Sequence, residues 1–128
     1  MSQFQKEHLE KIREALILFN DQKYWECHEV LEDFWMEDKT DPIHYLYWVI
    51  IQVAASMIHY REKNLIGAHS MIMKAQEKIK KIEEHHLESE FLNRSLDYNH
   101  FKKMVLAVPK ECGLNDFESL FNFRFPSI

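Results

Sequence analysis

The chain has 128 residues, 46% of them hydrophobic and 13% aromatic, and a formal charge of −5. That length suits one domain, residues 1–128, with a core that needs no staples, and the acid excess argues against a nucleic-acid footprint. Two glycines and three prolines supply too few turns for an all-β fold. The expected class is therefore all-α, a compact bundle of about five helices with an extended aromatic C-terminal tail.

Leu9, Ile12, Leu16 and Phe19 recur at three- and four-residue steps, which predicts a helix over 3–19. Asn20-Asp21 interrupts it, with Asp21 a candidate cap for a second helix over 22–37. In "KTDP", Asp41 suits an N-cap and Pro42 a first helical turn, opening a third helix over 42–63. This helix is apolar almost all round, as a central helix is. Asn64 is placed to cap a fourth, over 65–85, with one stripe of Leu65, Ala68, Met71, Ile72, Ala75, Ile79 and Ile82. The pattern weakens between His85 and Ser95. Asp97 then opens a fifth helix over 98–111, closed by Gly113 as its C′ residue, with Pro109 able to stop it a turn early. Phe121, Phe123 and Phe125 alternate at period two, which predicts an extended tail laid along the bundle. The chain carries no repeat with a period near 34 residues.

Cys27 and Cys112 are far apart and form no C-x-x-C pair, which fits a reducing cytoplasm better than a disulfide framework. No signal-peptide core opens the chain. The apolar run from Leu46 to Tyr60 falls short of the ~20 residues of a membrane span and carries Gln52, Ser56 and His59. A cytoplasmic protein is expected, off the membrane, monomeric or homodimeric, with an unidentified small-molecule or protein partner.

The chemistry-bearing stretch is "ECHEVLEDFW", Glu26–Trp35. At 100° per residue, Tyr24, Cys27, Val30, Leu31, Phe34 and Trp35 form an apolar arc, with His28 inside it beside Trp35 and Glu32 at its edge. His28 and Glu32, four apart, reach a common point. On the third helix the polar residues fall in one stripe, Tyr45, Gln52, Ser56, His59 and Lys63. Such a stripe is either a solvent window or one wall of a polar pocket, since buried polar groups need partners. His69, at the margin of the fourth helix's stripe, can join; Gly67 beside it implies close packing.

Two readings follow. In the first, His28, Glu32 and His59 ligate a divalent metal (zinc, manganese or iron) with an open position. Glu29 or Glu32 then takes a proton from bound water, and Gln52, with Trp35 and His69, surrounds the ligands. In the second, a non-catalytic binding or scaffold protein, His28, Glu32, Gln52 and His59 form a hydrogen-bonded core that fixes helix register. The Glu-x-x-His spacing of a di-iron bundle occurs in one clear copy, Glu83 to His86, so that class is set aside. Nucleophile and phosphate-loop motifs are missing.

The segments "FNDQKYWECHEVLEDFW", "IIQVAASMIHY" and "NLIGAH" resemble the small prokaryotic proteins grouped as domain of unknown function family 309. The resemblance covers about Phe19 to Ala75. It implies a compact all-helical bundle and a metal-dependent hydrolase of unestablished substrate. The family's motif falls here on His28, Glu29, Glu32, Trp35, Gln52 and His59; nothing carries over to "FNFRFPSI".

Overall fold

The computed structural model describes residues 3–37 and 40–126. Among these, seven α-helices and one 3-10 turn make up the architecture, with no strand. The helices are α1 (Lys6–Asn20), α2 (Tyr24–Glu37), α3 (His44–Arg61), α4 (Leu65–Glu84), α5 (Glu90–Leu96), α6 (Tyr98–Ala107) and α7 (Glu118–Asn122); the 3-10 turn is Leu114–Phe117.

The first four helices follow the sequence pattern because their turns are tight and locally encoded. α1, α3 and α4 end alike. Lys23 N–H reaches Leu18 O at 2.9 Å, Asn64 N–H reaches His59 O at 2.9 Å, and Leu87 N–H reaches Ile82 O at 3.0 Å. Each is the long closing bond of a Schellman turn, which requires a left-handed residue just before it. Glycine usually takes that place. Here Gln22, Lys63 and His86 take it, at φ of 60°, 59° and 54°, at a cost of about 1 kcal/mol each. The first two of these turns fold α2 back on α1 and α4 back on α3, and the third leads the chain out of α4 toward α5. Asn64 caps α4 as expected, its Oδ1 accepting from Gly67 N–H at 3.0 Å. Asp41 Oδ1 accepts from Ile43 N–H at 3.0 Å, just ahead of α3. Asp21 instead ends α1.

α3 is the central element. Eleven of its side chains are buried, from His44 and Leu46 to Met57, because α2 and α4 pack on its two sides. Ser56, fully buried, donates to Ala68 O on α4 at 2.8 Å. Arg61 donates to Gln22 O at 2.8 Å and lies 5.1 Å over the Tyr24 ring, tying the end of α3 to the α1–α2 turn.

The second half departs from the expected five-helix plan. α5 forms in the stretch where the apolar pattern weakened, started by Ser89, whose hydroxyl accepts from Leu92 N–H at 3.1 Å. α6 ends at Ala107, not Glu111. Val108, just before Pro109, is extended at φ −70°, ψ 116°, since a proline ring excludes the helical conformation from the residue before it. Gly113 therefore caps the 3-10 turn, its N–H donating to Asp116 Oδ2 at 2.8 Å. Phe121 lies inside α7, so the extended tail starts only at Phe123. Both Phe123 and Phe125 are buried. Phe125 packs on Phe19 and Phe101, at 4.9 and 5.3 Å between ring centroids. Asn20 clamps its backbone from both sides: Nδ2 donates to Phe125 O at 3.0 Å, and Phe125 N–H donates to Oδ1 at 2.7 Å. Among the described residues no helix is long and apolar enough to cross a membrane.

Candidate functional site

His28 stands half-buried on α2. The indole of Trp25, exposed and three residues earlier, stacks on its imidazole at 5.5 Å and 6°. Glu32 Oε2 lies 3.4 Å from His28 Nδ1, within ion-pair reach. That contact lacks hydrogen-bond geometry, and buried Nδ1 makes no hydrogen bond. Exposed on the outer side of the pair, Glu32 gives it little energetic weight.

On its inner side His28 borders a groove of about 430 Å³ between α2, α3 and α4. Trp48 and Gln52 of α3 line it, with Met71, Lys74, Glu77 and Lys78 of α4. Gln52 is 6% exposed, and its Oε1 makes no hydrogen bond. Gln76, also on α4, shows the usual behaviour of a covered amide: its Nε2 donates to Val105 O and Val108 O, both at 3.0 Å, and closes the end of α6. The Gln52 carbonyl is thus an exception to the rule that covered polar groups are paired. His28 Nδ1 is a second exception, on the side of the ring that faces Glu32. Trp48 is braced on one side by Trp35, at 4.9 Å between rings, while Lys78 Nζ lies 4.2 Å from its ring centroid.

The other expected residues lie elsewhere. Glu29 and Glu32 face a separate hollow of about 290 Å³, with Trp25 and Asp33. His59, seven residues along α3 from Gln52 and therefore about 10 Å farther down the helix, packs at the α3–α4 turn, its Nδ1 3.3 Å from Asn64 Nδ2. Gly67 exists for this contact: a Cβ there would sit 2.6 Å from the His59 ring. His69 faces another hollow, with Ile66, Lys110 and Cys112. Among the described residues, no three His, Cys, Asp or Glu side chains are grouped to hold a metal ion. The expected set of His28, Glu32 and His59 thus reduces to a pair. Nor does a hydrogen bond link His28, Glu32, Gln52 and His59 among the described residues, so the polar stripe is no closed network either. Trp48, Lys74 and Lys78 were missed by the sequence reading. Their signal was present: Met71, Lys74 and Lys78 follow helical steps of three and four along one edge of the α4 apolar stripe.

The fold and site define a class: an all-helical protein with a polar-floored groove on its central helix. A family model described as "Domain of unknown function (DUF309)" matches residues 12–71, the segment that carries His28, Trp48, Gln52 and His59. Uncharacterized protein YpuF of Bacillus subtilis (strain 168) is 42% identical over 50 residues, which cover 38% of this chain and 28% of that protein. The chain thus spans little more than a quarter of the length of that curated relative. No solved structure matches. Neither the family description nor the relative's name states an activity.

Proposed function

We propose that this protein is a ligand-binding module whose site is the groove between α2, α3 and α4. One observation carries the reading: Gln52, 6% exposed and with its covered carbonyl oxygen left without a partner, lines a groove of ligand size. Drug-sized pockets run from about 300 to 1,000 Å³ and pair apolar walls with a few placed polar groups. An acceptor left unsatisfied costs stability, and a ligand donor recovers that cost on binding. The test is a fragment screen by NMR, following the Gln52 side-chain amide and the Trp48 indole. Fragments that shift both resonances, and no longer shift the Trp48 indole in Gln52→Met, support the site. A screen with hits only at other surfaces refutes it.

A metal-dependent hydrolase is the second reading, favoured by the 3.4 Å approach of His28 Nδ1 and Glu32 Oε2. The pair offers two donors, one short of the three protein ligands of a catalytic zinc site. Zinc or manganese that raises Tm in the wild type but not in His28→Ala or Glu32→Ala would favour it. Equal response in all three would remove it.

A further inference from the structure

We infer that the outer face of α2 docks a basic helical segment of a partner protein, an arginine of that segment lying on Trp25 and an apolar side chain covering Met36. The surface is distinct from the groove, and its test does not depend on the groove binding anything.

The sequence of α2 sets the charge. Tyr24–Glu37 carries Glu26, Glu29, Glu32, Asp33 and Glu37 and neither lysine nor arginine, a formal charge equal to the −5 of the whole chain. Trp25, Glu29, Glu32 and Met36 follow steps of four, three and four, so they share one stripe of the helix, about 16 Å long. All four are exposed, Trp25 by 58% and Met36 by 56%. Trp25 is the one exposed aromatic side chain among the described residues. The stripe thus has an apolar side chain at each end and carboxylates between them.

Local geometry says what covers it. The stack on His28 already holds the indole in place, so little rotamer freedom is lost when the rest of the ring is covered. Beside it, Trp25, His28, Glu29, Glu32 and Asp33 wall the hollow of about 290 Å³, and no lysine or arginine lines it. Glu29 and Asp33 make no ion pair among the described residues, and Glu32 meets only His28. The cation nearest along this helix, Lys11 of α1, is engaged by Glu37 at the far end. Like charges one turn apart, as Glu29 is from Glu32 and Asp33, repel, and a cation in the hollow relieves that cost. A guanidinium suits it better than an ammonium, because it stacks on an indole while bonding a carboxylate with two N–H groups. A partner helix has the same rise per residue, so its arginine and its apolar residue reach Trp25 and Met36 together. A second copy is a poor occupant: α2 laid two-fold on itself sets its acids against the same acids. Nucleic acid and anionic lipid are repelled.

The probe is an alanine-based helical peptide with arginines and a terminal leucine on one face, at the steps of the stripe. It is titrated into the full chain at physiological ionic strength, reading the Trp25 indole and the Met36 methyl. Both are expected to shift. A peptide of the same composition with those residues scattered around the helix should bind about tenfold more weakly, and a lysine-for-arginine peptide several-fold more weakly. Trp25→Ala and the Glu29→Gln, Glu32→Gln double variant should each weaken the matched peptide about tenfold, read at Met36, with Tm little changed because the side chains are exposed. No shift with the matched peptide overturns the docking surface. Equal binding of the scattered peptide shows attraction by charge alone and overturns it too. Equal binding of the lysine peptide overturns the place given to arginine. If the variants bind the matched peptide like the wild type, it sits elsewhere. If the Trp25 indole shifts on dilution of the protein alone, the face joins two copies of this chain and the choice of partner is wrong.

Discussion

Replacing Gln52 by methionine is expected to make the protein more stable. Methionine matches the length of glutamine and its flexible chain fills irregular space, so the change removes the amide with little alteration of shape. The side chain is 6% exposed and its carbonyl oxygen has no partner. A covered acceptor in that state costs about 1–3 kcal/mol. Imperfect packing of the thioether takes back part of the gain, which leaves about 1 kcal/mol. For a chain of 128 residues, that raises Tm by about 4 °C. Urea unfolding checks it: the midpoint should rise while the slope stays the same. A loss of 1 kcal/mol or more would refute the reasoning, because the amide would then be holding helices together and not waiting for a ligand. Groove binding in the same variant should fall, so stability and binding should move in opposite directions.

Gly67→Ala should destabilise by about 1 kcal/mol. The helix propensity gained, close to 1 kcal/mol, is outweighed by a methyl group 2.6 Å from the His59 ring, since overpacking costs about 1–3 kcal/mol. In a His59→Ala background the same change should cost less, since only the approach to Asn64 Nδ2 at 2.8 Å then remains, a coupling that thermal melts of the four variants would show or exclude. Asn20→Ala removes the 3.0 and 2.7 Å bonds to Phe125 and should cost about 2 kcal/mol. Faster exchange of the Phe125 amide, with α3 amides unchanged, is the mark of it; unchanged exchange would show that ring packing alone holds the tail. Alkali should unfold the protein. Burial raises the hydroxyls of Tyr24 and Tyr47 to about 12, above the ordinary value of about 10 for an unfolded chain. Their contribution is present below pH 10 and is lost as pH rises from there toward 12. Circular dichroism should show cooperative loss in that window, and free titration of both tyrosines near 10 in an intact fold would contradict it.

Much of the first half was legible because each helix carries its own start, stop and apolar face. Asn64, the stripe on α4 and the apolar girth of α3 all encode their structure within a few residues. The second half resisted because its boundaries depend on single residues whose effects compete: Pro109 overrode a periodic pattern that ran past it, and Ser89 started a helix too short to show a period. The site was half legible. Helical geometry placed His28 beside Glu32, and Gln52 and Ser56 on one stripe of α3. It could not say that His59 is engaged by Asn64 and Gly67, because that contact forms across a turn whose left-handed residue is a lysine. Nor does spacing on one helix tell which neighbour a lysine faces; Lys74 and Lys78 acquire meaning only once α3 is laid beside α4.

The clamp of Asn20 on Phe125 has a consequence for how the molecule is divided. Residues 123–125 behave as a peptide held in a socket by their own tether. Its carbonyl and amide are both read by one carboxamide, and its rings fill the space against Phe19 and Phe101. The tether supplies an effective concentration of the order of millimolar for a short flexible link. Cutting the chain between Pro109 and Gly113, where the backbone is outside any helix, turns this folding contact into an ordinary binding equilibrium. A synthetic peptide spanning the excised tail could then restore the core in trans, and analogues of it would measure what each phenylalanine contributes.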